Sequence, residues 1–181
     1  MNTDAALKFL IDVIFDSYAF IVLARLIMQL VRADFYNPIS QFTIRATNPL
    51  LVPLRRIIPG IGGIDLASII LLLAIVLIKV LLLSTVLTGS LPNMIVLLFV
   101  TARECLSLVL GFFTYAIFLQ VIISWIAGQS YSSAIQMLHQ ITEPLMRPVR
   151  RFLPPMGGLD FAPMIVLVAL SFVRILLSTQ S

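Results

Sequence analysis

The sequence predicts an all-α membrane protein with four transmembrane helices, arranged as two tandem two-helix repeats. Its mean hydropathy is +1.10. Hydrophobic residues make up 60% of the chain and charged residues only 11%, whereas soluble domains carry about 25% charged residues. Residues 48–65 recur as residues 143–160, 95 positions later and without a gap. Counted from Thr47 and Thr142, 10 of 19 aligned positions are identical, so the chain contains an internal duplication.

Four apolar stretches account for the predicted spans. Each has about the length of ~17–25 residues that a helix needs to cross the hydrocarbon core. Helices are required because lipid offers no partners to unpaired backbone N–H and C=O groups. The first repeat is residues 1–90 and the second is residues 91–181. The predicted spans are residues 6–31, 66–88, 105–127 and 161–178.

Each repeat carries the motif Pro-Leu-x-x-Pro-x-Arg-Arg-x-x-Pro-x-x-Gly-Gly-x-Asp between its two spans. Before it, residues 37–48 and 132–143 read as short amphipathic helices at the cytoplasmic interface. Because proline removes a donor and obstructs the preceding turn, residues 49–65 and 144–160 are predicted to be hinges. The glycine pair permits a tight turn, and the aspartate caps the next helix. The motif and its flanking basic residues are Pro49, Pro53, Arg55, Arg56, Pro59, Gly62, Gly63 and Asp65, then Pro144, Arg147, Pro148, Arg150, Arg151, Pro154, Gly157, Gly158 and Asp160.

The distribution of basic residues predicts the topology. Seven arginines follow the first and third spans, against Lys8 and Arg103 on the opposite side. By the positive-inside rule, these two loops are cytoplasmic and both termini are periplasmic. Since each repeat contains two spans, both copies point the same way, and a pseudo-twofold axis along the membrane normal is expected. The seven arginines are Arg32, Arg45, Arg55, Arg56, Arg147, Arg150 and Arg151.

The arginines of the motif allow two interpretations. Arg55, Arg56, Arg150 and Arg151, with Arg147, form a basic surface for anionic lipid headgroups or an acidic partner. Alternatively, they only hold their loops on the cytoplasmic side. The sequence leaves both interpretations open.

Charged residues inside the predicted spans are costly and mark candidate sites. They are Asp12, Asp16, Arg25, Lys79 and Arg174. Counted from the cytoplasmic ends of their helices, Asp16 and Lys79 lie at similar depths of about 21–23 Å. We therefore expect an ion pair between them. Arg174, the counterpart of Lys79, has no acidic residue on its own helix. It either snorkels outward or reaches Asp12 or Asp16.

The composition offers little for enzyme chemistry. Cys105 and His139 are the only cysteine and histidine, so no intrachain disulfide and no repeated set of His and Cys ligands exists. We expect a protein that is not an enzyme, with no catalytic, cofactor-binding or metal-binding residues. A nucleic-acid partner is not expected, since no basic platform with interleaved aromatic residues is present.

The duplicated motif, the segment Asp34-Phe35-Tyr36-Asn37-Pro38 and the opening Met-Asn-Thr resemble the YggT family of bacterial inner-membrane proteins. The resemblance covers nearly the whole chain. It implies a multi-pass protein of the bacterial inner membrane, with links to osmotic-stress tolerance, cell division and, in plastids, assembly of a cytochrome complex. It implies no agreed catalytic residues.

Together these observations predict a non-enzymatic membrane protein that organises partners or lipids through its cytoplasmic hinges. Anionic headgroups, a protein partner or further copies of the chain are the expected partners. The alternative is a subunit of a small ion or osmolyte channel, with Asp12, Asp16, Lys79 and Arg174 near its path.

Overall fold

The computed structural model describes residues 3–34, 36–127, 132–153 and 160–178. Within these ranges the chain forms six α-helices and no strand beyond one isolated β-bridge. The predicted all-α class is confirmed for this part of the chain. The helices are α1 Thr3–Leu30, α2 Pro38–Ile57, α3 Leu66–Thr88, α4 Met94–Ala127, α5 Ser133–Phe152 and α6 Ala162–Ser178.

Two of the helices are long and apolar enough to cross a membrane. They span residues 66–88 and 94–126, and α6 is a shorter apolar helix. The boundaries of α3 coincide with the predicted span 66–88. In contrast, α4 begins 11 residues before the predicted start at residue 105, so it is a helix of 34 residues.

The amphipathic helices are longer than the sequence predicted. We expected the prolines of the motif to end the helix near residue 48, but α2 continues through Pro49 and Pro53 to Ile57. The equivalent helix α5 runs through its two prolines to Phe152. All four prolines are exposed, so the carbonyls that lose a donor lie on the exposed side of each helix. The prediction of a hinge starting at residues 49 and 144 is therefore wrong.

The turn that follows α2 is a two-residue hairpin. Gly62 and Gly63 have φ values of +61° and +84°, and Ile61 and Ile64 exchange backbone hydrogen bonds of 3.2 and 3.0 Å. Positive φ at both central residues is the requirement of a type I′ turn, which glycine meets without strain. This confirms the predicted tight turn in the first copy. In the second copy, Pro154, Gly157 and Gly158 lie outside the described residues.

The chain divides into two compact units, which do not coincide with the sequence repeats. One unit is Met1–Leu26 with Phe42–Leu108, and the other is Ile27–Gln41 with Val109–Ser181. Within the two units, four pairs of positions that lie 95 residues apart are fully buried in both copies. The fully buried positions shared in this way are Val22, Thr47, Leu51 and Ala67 in the first unit and Ile117, Thr142, Met146 and Ala162 in the second.

In the second unit, α4, α5 and α6 pack through one apolar cluster. Ile117 of α4, Met146 of α5 and Ala162 of α6 have no exposed surface, and Val166 and Leu170 extend the contact along α6. Met146 lies on the side of α5 opposite its two exposed prolines, as Leu51 does in α2. Packing of this buried side stabilises a helix that the prolines would otherwise interrupt.

Candidate functional site

The motif arginine and aspartate of the first repeat form an ion pair in which the aspartate is buried and the arginine is partly exposed. Arg55 lies in the last turn of α2 and bonds Asp65, which immediately precedes α3. Asp65 is 5% exposed and also accepts a hydrogen bond of 2.5 Å from Ser68 Oγ. The predicted capping role of Asp65 is thus modified, because the main partners of its carboxylate are the side chains of Arg55 and Ser68.

The surroundings of Asp65 change its protonation. Burial opposes the charged carboxylate, but hydrogen bonds from Arg55 and Ser68, together with the charge of Arg55, outweigh this effect. They hold the pKa of Asp65 below its ordinary value of 3.8. Asp65 is therefore ionised at neutral pH and neutralises Arg55.

The second repeat forms the equivalent ion pair and adds a further carboxylate. Arg150 donates from Nε and Nη2 to Asp160 Oδ2, at 2.9 and 2.8 Å, and from Nη1 to Glu143 Oε2 at 2.6 Å. Burial acts against the charged form, but the two carboxylates outweigh it and raise the pKa of Arg150 above its already high value. Asp160 Oδ1 accepts from the backbone N–H of Ala162 at 3.0 Å, so this aspartate caps α6 as predicted.

The two arginines of each motif therefore have different environments. The first, Arg55 or Arg150, is held in an ion pair with the motif aspartate, although the Arg55 side chain is still 40% exposed. The second, Arg56 or Arg151, is exposed. Arg147 is exposed as well, and none of these three makes an ion pair among the residues that the structure describes. Of the arginines that the sequence assigned to a basic surface, Arg56 in the first unit and Arg147 and Arg151 in the second are the exposed ones without such an ion pair in the described ranges.

A polar contact that sequence reasoning missed links α1 to α2. Arg25 is 8% exposed, and its Nη1 donates to Thr47 Oγ1 at 2.5 Å, to Asn48 Oδ1 at 2.8 Å and to the Ile44 carbonyl at 3.3 Å. The sequence identified Arg25 only as a charged residue inside a predicted span. The available signal was the repeat itself, because Arg25 and Thr47 have polar counterparts 95 positions later.

Those counterparts make a different set of contacts. Gln120 Oε1 accepts a hydrogen bond from Thr142 Oγ1, and Gln120 Nε2 donates to His139 Nδ1 at 2.9 Å. A cavity of about 320 Å³ adjoins these side chains. Its polar and aromatic lining consists of Gln120, Ser124, Trp125, His139, Arg150 and Asp160. We refer to it as the Gln120 cavity.

The predicted ion pair between Asp16 and Lys79 is confirmed. Lys79 Nζ lies 2.7 Å from Asp16 Oδ1. Two further carboxylates surround the same ammonium, Asp12 at 3.3 Å and Glu104 at 3.4 Å. Glu104 was missed because it precedes the predicted third span, whereas α4 already includes it. We refer to Lys79, Asp12, Asp16 and Glu104 as the Lys79 cluster.

The Lys79 cluster borders an open cavity of the first unit. The cavity has a volume of about 540 Å³, and Lys8 and Arg103 contribute to its wall beside the cluster. Arg103 lies 3.4 Å from Glu104. The Lys79 side chain is 7% exposed, whereas those of its carboxylate partners are 31–47% exposed. All four members of the cluster line the cavity, and Lys79 is the least exposed of them.

The second repeat lacks this cluster. Ser107 and Gly111 occupy the positions equivalent to Asp12 and Asp16. The guanidinium of Arg174 lies against Gly111, where an added Cβ would be 3.9 Å from Arg174 Cζ. In the described ranges Arg174 has no carboxylate partner. Since Asp16 pairs with Lys79, the two repeats place a cation at the same position but only the first supplies its counter-ion.

Comparison with known proteins gives the family. The family model CCB3/YggT matches twice, over residues 5–86 and 99–181. The chain belongs to the CCB3/YggT family. It is 44% identical over 177 residues to an uncharacterized protein of Pseudomonas aeruginosa, covering 97% of this chain and 89% of the relative. It is 39% identical over 171 residues to the uncharacterized protein YggT of Escherichia coli K12, covering 94% and 86%. No solved structure matches.

The family match also confirms the tandem repeat predicted from the sequence. Its two matched segments correspond to the two copies that we recognised from the motif. The CCB3/YggT relatives are themselves uncharacterized proteins, so the role of this chain is argued below from its own residues.

Arg174 of this CCB3/YggT protein, which has no carboxylate partner in the described ranges, predicts a stabilising substitution at Gly111. In Gly111→Asp the new carboxylate should pair with Arg174, as Asp16 pairs with Lys79. We expect a gain of about 0.5–1 kcal/mol, a few degrees in melting temperature, relative to Gly111→Asn, which has the same size but no charge. Thermal unfolding in detergent measures the difference. Adding Arg174→Gln should abolish the gain, and equal melting temperatures of the Asp and Asn variants would contradict the prediction.

The ion pair between Arg55 and Asp65 predicts a stability that depends on pH. The pKa of Asp65 is lower in the folded state than in the unfolded state. Its contribution to the free energy of unfolding is therefore present well above pH 3.8 and is lost as the pH falls through the folded-state pKa. We expect Asp65→Asn to cost about 1–3 kcal/mol at pH 7. This difference should narrow below pH 3.8. Melting of both proteins across this range tests it, with the exposed Asp4→Asn as the control that shows no such cost.

Proposed function

We propose that this protein is a multi-pass protein of the bacterial inner membrane with four spans. The apolar helices α3 and α4 support two of them. Helix α6 has 17 residues, about 26 Å of helix, which approaches the ~30 Å hydrocarbon core. Helix α1 has 28 residues, and its charged residues Asp12 and Asp16 pair with Lys79. In the proposed topology, α2 and α5 lie at the cytoplasmic surface and both termini are periplasmic, because the arginine-rich segments favour the inner side.

The proposed role is non-catalytic: the cytoplasmic surface binds anionic lipid headgroups and gathers partners there. One observation carries this proposal. In both repeats the exposed second arginine is followed by a large, exposed apolar residue. Arg56 precedes Ile57, which is 81% exposed, and Arg151 precedes Phe152, which is 89% exposed.

A basic residue beside an exposed apolar side chain suits the membrane interface. The apolar group enters the boundary between headgroups and acyl chains, and the guanidinium binds lipid phosphates. Each basic residue near an anionic surface contributes about 1 kcal/mol. The internal ion pairs of Arg55 and Arg150 support this division of roles, because they hold the helix end in place while the neighbouring arginine points outward. Links to osmotic stress and cell division, implied by the family resemblance, belong to this proposal as consequences of partner binding.

Loss of the exposed arginines should weaken binding of anionic lipid. We expect Arg56→Gln with Arg151→Gln to lower retention of phosphatidylglycerol or cardiolipin through purification, by about fivefold per arginine if each contributes ~1 kcal/mol. Native mass spectrometry measures the retained lipid. The matched control is Lys8→Gln, which removes an exposed cation on the proposed periplasmic side.

Partner binding is tested at the same positions. A photoreactive residue at position 56 or 151 preserves the ion pairs of Arg55 and Arg150, which a probe at those residues would break. Reproducible crosslinking to one heterologous protein supports the organising role. Unchanged lipid retention in the double variant, together with crosslinking to copies of the chain alone, would refute it.

The cavity beside the Lys79 cluster favours a second candidate, a subunit that conducts a small ion or osmolyte. Its carboxylates face an open space of about 540 Å³, and charged groups inside a membrane commonly mark transport paths. Two observations argue against a continuous path. The three N–H donors of the Lys79 ammonium are matched by three carboxylates. The second repeat also lacks the equivalent acids.

Flux measurements separate the two candidates. We expect liposomes containing the purified protein to show no ion or solute flux above empty liposomes, because the second repeat has no acids at the positions equivalent to Asp12 and Asp16 that would continue a charged path. Flux that Asp16→Asn reduces and the exposed Asp4→Asn leaves unchanged would replace the organising role with the channel.

A further inference from the structure

The Gln120 cavity lies beside a neutral side chain whose equivalent in the first repeat carries a guanidinium group. Arg25 is the equivalent of Gln120. Arg25 lies within electrostatic reach of Arg55 and Asp65, and its guanidinium bonds oxygen acceptors of α2. In the second repeat the shorter, neutral Gln120 stands beside Arg150 and Asp160, and a cavity of about 320 Å³ remains.

The charges around this position are reversed between the repeats. The first repeat combines two cations, Arg25 and Arg55, with one carboxylate, Asp65. The second combines one cation, Arg150, with two carboxylates, Glu143 and Asp160, which both bond it. Glu143 replaces the neutral Asn48, an acceptor for Arg25. The second repeat has thus lost a cation and gained an acid at one place.

We propose that the Gln120 cavity binds a small organic cation with a primary ammonium or guanidinium group. The ligand replaces the missing positive charge and bonds to Asp160, which is about one-third exposed at the cavity wall. Trp125 lines the same cavity and supplies an aromatic face for the cation. The volume suits a ligand of a few non-hydrogen atoms, near the lower limit of small-molecule sites.

Two sources offer this chemistry. One is a soluble amine from the cytoplasm. The other is the ethanolamine headgroup of a lipid, whose ammonium reaches the interface where α5 is proposed to lie. The inference does not depend on the anionic-lipid surface of Arg56 and Arg151, since these side chains take no part in the cavity.

The chain provides its own reporter, because Trp125 is the only tryptophan. We expect titration of the detergent-solubilised full chain with ethanolamine, at constant ionic strength, to change Trp125 fluorescence saturably. Sodium chloride should not do so. If the fluorescence changes only in nanodiscs of phosphatidylethanolamine, and not in nanodiscs of phosphatidylcholine, the ligand is the lipid headgroup. Either response supports the proposal.

The deciding variant is Gln120→Arg. Its guanidinium should fill the cavity as Arg25 fills the equivalent place, so binding should weaken at least tenfold while the protein still folds. Gln120→Asn, which keeps the cavity open, should retain binding. Arg25→Gln, in the other repeat, is a control for changes that affect the whole chain. Thermal melting confirms folding of each variant.

Two results would overturn the proposal. One is the absence of a saturable fluorescence change in the natural sequence with both the soluble amine and the phosphatidylethanolamine nanodiscs. The other is equal binding by a folded Gln120→Arg variant, since the ligand would then occupy a different place.

Discussion

The ion pair between the first motif arginine and the motif aspartate joins the end of each amphipathic helix to the start of the apolar helix that follows. Asp65 is almost completely buried, and a buried carboxylate requires a cation and hydrogen bonds to be tolerated. Arg55 meets this requirement only if α2 continues through Pro49 and Pro53 to its last turn. The ion pair therefore depends on the helical continuity that the prolines weaken and that the packing of Leu51 maintains.

The same constraint explains why the motif contains two arginines in succession. Neighbouring residues of an α-helix point about 100° apart. When Arg55 turns towards Asp65, Arg56 consequently turns away from it, and Ile57 follows on the exposed side. In the second repeat, Arg150, Arg151 and Phe152 repeat this order. One residue of each pair thus stabilises the turn while the next is available to the surroundings.

Much of this arrangement could be predicted from the sequence, and the failures have physical causes. Hydropathy and the 95-residue repeat were sufficient for the all-α class and for the limits of α3. Helical rise alone placed Asp16 opposite Lys79. The continuity of α2 and α5 was missed because proline preference is local, whereas the packing of Leu51 and Met146 is tertiary. The contacts of Arg25 and Glu104 were missed because they join side chains from separate helices, whose orientation no periodicity specifies.

The two repeats differ in the partners that their charged and polar side chains have. In the first repeat the buried cations have partners within the repeat: Lys79 pairs with Asp12 and Asp16, and Arg25 bonds three oxygen acceptors. In the second, Gly111 leaves Arg174 without a carboxylate among the described residues, and Gln120 leaves a cavity where a guanidinium would lie. Four fully buried positions of the core are nevertheless shared by both copies. The two repeats therefore differ in the contacts of their polar side chains, which the shared core positions do not determine.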